Sequence, residues 1–427
     1  MNMFQTFKLN SIELTLLGAA LILVTAGCGK SGSKTAALIS PKLEAIRQAG
    51  GPVTLAELSE SYVEPPAAEN AASLYLAAFA AMAPLQPASP AFLSQNQKAI
   101  EILHQAVSRQ KCRYPIDLTK GACAALPHLM SFKKSAQLLA AAAANQAAQG
   151  KMELAAQSLL DGLLLARSLQ EEPLVLSRVH QIATVNIIQR GLEPVLNRKP
   201  FSEEQLGRLQ AGFAEAENGA SLARPLAGER CIGIAVFQSS TQEQVEMFAK
   251  AQKMTGKFNV EAYRKRAAFA ADFISYLDLM DKGIALSALP YDKSLDAIGA
   301  WNAERGEAKS KGYQFSELLV PALDTVLERV AQCSARLRLA QTALAVERYR
   351  QANRNALPDS LAQLVPKFLP EVLLDPFDSQ PLRYKKLPSV GFVIEGGGKD
   401  GNEEVVAPEL GGGRRDDVYD PTFAVRR

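Results

Sequence analysis

Residues 133–169, KKSAQLLAAAAANQAAQGKMELAAQSLLDGLLLARSL, decide the fold class. Ala140 to Ala148 is almost all small, Gly150 interrupts the run, and Ala155, Leu159 and Leu163 to Leu165 bring an apolar face back. Ala and Leu are good helix formers, and Gly supplies the turn between them. The stretch therefore predicts an antiparallel helical hairpin whose small side chains let the two helices approach closely. The same texture runs from about residue 41 to 353, with helices expected over 68–82, 95–109, 126–149, 151–169, 172–197, 202–217, 258–286 and 314–353. Pro84 to Pro90, Gly150, Gly219 and Pro290 mark loops, and no strand-like alternation of useful length occurs in this region.

Near residue 354 the texture changes. Pro358, Pro366, Pro370, Pro376, Pro381 and Pro388 follow in quick succession, with β-prone runs at 381–384 and 390–394 and a turn at Leu387-Pro388-Ser389. The expected fold class is mainly α: an irregular antiparallel helical array followed by a small α+β module. The hairpin at 133–169 resembles a tetratricopeptide unit. No further copy follows at a 34-residue period, which favours a generic helical array over a solenoid.

The chain has 427 residues, 48% hydrophobic and 21% charged, which is ordinary globular composition and length for two or three domains. The net charge of +3 supplies no basic field for nucleic acid. Three His and five Cys, none closely clustered, do not have the spacing of a zinc or haem site.

The N-terminus carries an address. Leu14 to Gly27 is uncharged and fourteen residues long, shorter than the ~20 a membrane span needs and suited to a signal-peptide core behind Lys8. It ends in Val24-Thr25-Ala26-Gly27-Cys28, which resembles a bacterial lipobox, with Thr25 where Leu is preferred. The resemblance implies cleavage before Cys28 and lipidation of its thiol. Gly29 after the cysteine implies sorting to the outer membrane. A plain cleaved signal and an uncleaved anchor are the alternatives. Gly29-Lys30-Ser31 lacks the upstream Gly of a phosphate-binding loop, since Val24 stands there, and Lys8 occupies the Gly position of a pilin processing site before Glu13. The expected organisation is a signal peptide at 1–27, a Gly/Ser/Lys-rich lipid-anchored tether at 28–40, a helical domain at 41–331 and the α+β module at 332–427.

Arg348-Tyr349, Leu357-Pro358-Asp359-Ser360-Leu361, Leu364 to Pro370, Asp375-Pro376-Phe377, Pro381 to Tyr384 and Gly398-Lys399-Asp400-Gly401 stand in the order of the C-terminal part of the major (G-type) pseudopilin of type II secretion. About 70 residues carry this resemblance, with Leu357 and Phe377 in place of the family's Tyr and Trp. It implies a calcium ion held by Asp400 and by Asp416-Asp417, with Asn402, Glu403 and backbone carbonyls completing the oxygen shell. A solvated acidic turn is the alternative. Separately, Cys112-Arg113-Tyr114-Pro115-Ile116-Asp117, Leu126-Pro127-His128-Leu129 and Gly228-Glu229-Arg230 resemble a pattern in large, uncharacterised envelope proteins of planctomycete and verrucomicrobial type, which implies no particular activity.

Cys112 and Cys123 flank a Pro-containing loop, and in an oxidising envelope compartment they are expected to form a disulfide worth roughly 3 kcal/mol. Cys231 and Cys333 read as packed thiols. His128 with Cys123 is a conceivable nucleophile pair, without an evident third member. His104 and His180 read as packing or surface residues, Glu229-Arg230 as a buried ion pair or the floor of a groove, and Tyr263 to Arg266 as a solvated basic turn. No catalytic residue is assigned. The functional expectation is a lipid-anchored, periplasm-facing envelope protein that acts as a non-enzymatic interaction or scaffold component. It contacts the membrane through its anchor and an unnamed protein partner, and not nucleic acid. The rivals are a component of a type II secretion or pilus-like assembly and an envelope hydrolase.

Overall fold

The computed structural model describes residues 30–84, 91–219, 221–251, 259–387, 391–397 and 422–426. It is mainly helical with one small antiparallel sheet, as the sequence predicts. The helices are α1 (Lys30–Gln48), α2 (Leu55–Ser61), α3 (Ala72–Ala81), α4 (Phe92–Gln95), α5 (Gln97–Ala106), α6 (Leu129–Ala148), α7 (Met152–Arg167), α8 (Val175–Leu196), α9 (Glu203–Asn218), α10 (Ala223–Ser239), α11 (Gln242–Ala251), α12 (Val260–Arg264), α13 (Ala268–Ser287), α14 (Tyr291–Ser310), α15 (Gln314–Leu319) and α16 (Leu323–Ala352). Short 3-10 turns lie at Leu118–Cys123 and Leu361–Leu364.

The deciding hairpin is α6 and α7, with Gly150 in the left-handed region at φ 77° between them. Such a backbone favours Gly, because a Cβ would crowd the following carbonyl. The small residues do what their size allows. A Cβ on Gly162 would lie 2.1 Å from Ile188 Cδ1, and one on Gly191 would lie 3.0 Å from Ala140 Cβ, so α8 sits close against both α6 and α7.

Several expectations are corrected. Residues 30–40, read as part of a tether, belong to α1. Ile39, Leu43 and Ile46 recur at helical spacing, and Ile39 and Ile46 are buried in the core formed with α13. The predicted helix 258–286 is interrupted after Arg264, and 314–353 is interrupted at Pro321, which has no N–H to continue a helix. Helices α1, α2, α4, α10, α11 and α14 were not expected. In α14 only Ser294, Trp301 and Ala308 are buried, a one-residue seam every seven positions that leaves little periodic signal.

Two apolar cores result. The first gathers α2 to α9, most of α16 and the sheet; the second gathers α1 and α10 to α15. Helix α16 joins them: Leu323, Val326 and Leu327 belong to the second core, and Leu337, Leu339, Ala340, Ala343, Leu344 and Val346 to the first. The expected domain boundary at 331/332 thus falls inside α16. The sheet has the order β1 (Arg383–Lys386), β2 (Phe392–Glu395), β3 (Thr422–Val425), each pair antiparallel, with Tyr384 opposite Ile394 and Ile394 opposite Phe423. Its apolar face packs on α16 and covers an apolar stripe of that helix too wide to be left in water. Strand β3 was not anticipated. Asn197 covers its outer edge, donating to Ala424 O at 2.9 Å and accepting from Arg426 N. From their place in the proline-rich loop, Phe368, Leu369 and Phe377 are expected to fill the space between the long helix and the sheet, and Phe368 and Leu369 do join the first core. Phe377 does not: it packs with Ala331 and Ala335 and stands edge-on to Tyr291 at 5.0 Å.

Candidate functional site

Three motifs far apart in sequence converge on the turn between α7 and α8. The Cys112–Asp117 segment reaches it first. Asn70 grips this segment, accepting from Arg113 N and Ala72 N at 3.0 Å each and donating to Arg113 O at 3.1 Å. Arg113 lies over the Tyr62 ring, 4.8 Å from its centre, and donates to Tyr62 O at 2.6 Å. Tyr114 N donates to Tyr62 OH at 3.1 Å. With its backbone strapped down, Tyr114 is fully buried, bonds Ser168 Oγ at 2.9 Å and stacks on His128 at 4.4 Å and 17°.

His128, from the second motif, directs Nε2 at Glu172 Oε1, 2.9 Å away. The other oxygen of Glu172 accepts from Ser177 Oγ. Both His128 and Glu172 are buried. The third motif closes the junction from α10. Glu229 Oε1 accepts from Val175 N at 3.2 Å, capping the start of α8. A Cβ on Gly228 would lie 1.8 Å from Pro173 O, so only Gly admits this approach. Arg224 donates to Glu171 O at 2.9 Å, and the buried Arg178 holds Gly219 O and Ser221 O at 2.7 Å each.

Burial dominates the electrostatics. It pushes the Cys112 thiol up to about 12, with the Glu172 carboxylate adding to the rise and hydrogen bonds from Tyr114 and Ser168 opposing it. It raises the Tyr62 and Tyr114 phenols well above their ordinary range. It lowers His180, as does nearby His128. It raises the Glu229 carboxyl, against the Val175 N–H bond.

The order of the groups limits their chemistry. In a hydrolytic relay an imidazole lies between the hydroxyl and the carboxylate, so that it can take the hydroxyl proton. Here the carboxylate lies between: Ser177 and His128 both bond Glu172. The arrangement fixes a buried carboxylate and ties α6 to the α7–α8 turn. Glu172 and Ser177 were not singled out from the sequence. The only signal was an acidic pair before Pro173 at a helix start, where negative charge suits the helix dipole.

The remaining expected residues fall as follows. Cys28, Asp400, Asp416 and Asp417 lie outside the described residues. Cys112 and Cys123 are free thiols rather than a disulfide. The extended segment and the 3-10 turn between them send Cys112 toward Tyr114 and Ser168, and Cys123 toward α11, where its sulfur is 4.0 Å from Gln244 Nε2. Cys123 therefore does not pair with His128. Cys231 donates to Thr54 O at 3.2 Å and Cys333 is buried, both as packed thiols. His104 bonds the buried Asp161, which also accepts from Gln157 Nε2 at 2.7 Å. Glu229 and Arg230 do not pair with each other, for Arg230 reaches Asp281. Nor is the 263–266 turn wholly solvated. Arg264 caps the end of α10, donating to Val236 O at 3.0 Å and Phe237 O at 3.2 Å, and Tyr263 OH donates to buried Asp272 at 2.6 Å. Among the described residues there is no cluster of three His, Cys, Asp or Glu able to hold a metal, and no helix long and apolar enough to cross a membrane.

No protein-family model, curated protein or solved structure matches the chain.

Proposed function

We propose that this chain is a cell-envelope lipoprotein, anchored through Cys28 and facing the periplasm, whose helical body acts as a scaffold for a protein partner. The observation that carries the reading is the direction of the polar junction. Its most reactive-looking groups, His128, Glu172 and Ser177, bond one another inside the protein and join α6, α7 and α8 into one frame. The lipobox-like Val24 to Cys28 supports the anchor. The described part of α1 reaches back to Lys30, two positions after Cys28, so an anchor at Cys28 would hold the body close to the bilayer.

The test is palmitate labelling and membrane fractionation of the full chain and of Cys28→Ala, followed by cross-linking in intact cells. Label on the wild type alone, with one reproducible cross-linked envelope protein, is the expected result. An unlabelled wild type, or labelling of Ser177 by a serine-hydrolase probe, would overturn the reading.

A second reading, as part of a type II secretion or pilus-like assembly, is favoured by one feature. The long helix, proline-rich loop and antiparallel sheet follow the order that the pseudopilin resemblance implies. Cross-links from the sheet to a secretion pilus would select it.

A further inference from the structure

Helix α14, helix α16 and the loop at Pro376 meet in a groove between the two cores. The groove consists of two adjoining hollows of about 130 and 250 Å³ that share Tyr291 and Leu327. Leu289 lines one and Leu295 the other, and these two leucines are 45% and 41% exposed. Leu374, 42% exposed, stands at the same end: its carbonyl takes a hydrogen bond from Arg338, which lines the first hollow. Large apolar side chains gathered in water around a concave site mark an interaction surface.

Volume and charge narrow the occupant. Pockets for drug-sized molecules run to ~300–1,000 Å³. Each hollow here is smaller and suits a single large side chain. Two adjoining hollows along a helix pair suit the successive anchors of an amphipathic helix. The charged side chains lining the larger hollow are both acidic, Asp324 and Glu328. The one basic side chain lining the groove, Arg338, is bonded to Glu217 at 2.6 Å and so presents little free charge. Tyr291 senses the same field, its phenol pushed up to about 12 by burial and then by Glu328 and Asp324.

We infer that this groove docks a cationic amphipathic helix of a partner protein, with two apolar side chains in the hollows and a basic residue facing Asp324. The inference rests on the scaffold reading and names its contact surface.

The probe is a fluorescein-labelled Leu/Lys amphipathic helix of about four turns, with a Leu/Glu helix of the same pattern as control. Binding is followed by anisotropy on the full chain in neutral phosphatidylcholine nanodiscs. The Leu/Lys helix should bind and the Leu/Glu helix should not. Leu295→Asp and Leu289→Asp, at already exposed positions, should weaken binding ~10-fold or more. Asp324→Asn should weaken it less and flatten its salt dependence. Equal binding by all variants, or no binding by the wild type, overturns the inference. So does a self-association of the wild type that Leu295→Asp abolishes, which would make a second copy the occupant. Loss of vesicle binding in Leu295→Asp would make it the membrane. Palmitate labelling is read on the same preparations, so a failed anchor and a failed groove give different results.

Discussion

His128 and Glu172, 44 residues apart in sequence, bond each other at 2.9 Å with both side chains buried. Removing one partner of such a pair leaves a polar or charged group without compensation in a low-dielectric interior. His128→Ala should therefore cost about 3 kcal/mol in chemical denaturation. His128→Ala with Glu172→Gln should cost less than the sum of the two single variants, because no bare carboxylate remains. An additive pair would show that the contact carries no coupling.

Two glycines on helices should respond with opposite sign. Gly228 faces Pro173 O, where a Cβ would sit at 1.8 Å from backbone that cannot rotate away. Gly228→Ala should destabilise by about 2 kcal/mol or more through forced movement of α10 from the α7–α8 turn. Gly299 is exposed within α14, with nothing near its Cβ position. Gly299→Ala should stabilise by up to about 1 kcal/mol through helix propensity. Thermal melts of the two variants provide the comparison.

Glu229 yields a pH prediction. Burial raises its carboxyl above the ordinary value of 4.5 in the folded protein, so the native state holds this proton more tightly than the unfolded chain does. Stability then falls as pH rises from about 4.5 through the raised folded value, and levels off above it. Asp272 and Asp375 are raised by burial as well and act in the same direction, so the site is isolated by difference. Glu229→Gln keeps an acceptor for Val175 N and lacks the titration. The stability of the wild type minus that of the variant should decline across this window. A flat difference would remove Glu229 from the pH response.

The four described cysteines give a chemical test of the first core. Cys112, Cys231 and Cys333 each have thiols pushed up to about 12 by burial, which keeps them out of the reactive thiolate form. Alkylation of the folded chain near pH 8 should modify Cys123 first. Nonreducing peptide maps should recover Cys112 and Cys123 on separate peptides. A linked peptide would restore the bridge that their spacing suggests.

The long helices were legible because their apolar periodicity is local: α6, α7, α8 and α9 fall within a few residues of the expected spans. Helix α14 was not, since its buried seam of Ser294, Trp301 and Ala308 is one residue wide. Long-range polar bonds leave less trace. Arg264 reads as a surface charge until the end of α10 is placed beside it, and nothing local assigns Phe377 to Tyr291 rather than to the sheet. The motifs at 112–117, 126–129 and 228–230 were visible as strings. Their meeting at Glu172 and Val175 required the fold.

Glu395 opposite Thr422 is the final rung of the β2–β3 pair, so the chain between them starts and ends at one place on the sheet. Asp400 comes five positions after Glu395, and Asp417 five positions before Thr422, which puts the two carboxylates at equal chain length from a shared base. The exit from β2 is held firmly: Gly397 N donates to Asp375 Oδ2 at 2.9 Å, and a Cβ on Gly397 would lie 2.2 Å from Asp378 Oδ2. Calcium takes six to eight oxygens and tolerates irregular geometry, so the oxygen donors Asp400, Asn402, Glu403, Asp416 and Asp417 suit it better than they suit magnesium. An ion that binds only the folded chain stabilises by mass action, about 2.7 kcal/mol at a hundredfold excess over its Kd. Calcium should therefore raise the melting temperature of the full chain where equal magnesium does not. Asp400→Asn and Asp417→Asn should each remove most of that rise, while Asp359→Asn, whose carboxylate pairs with Lys386 on β1, should leave it intact. A calcium shift that survives in both loop variants would place the ion elsewhere, and no shift in the wild type would leave Asp400 and Asp416-Asp417 as a solvated acidic turn.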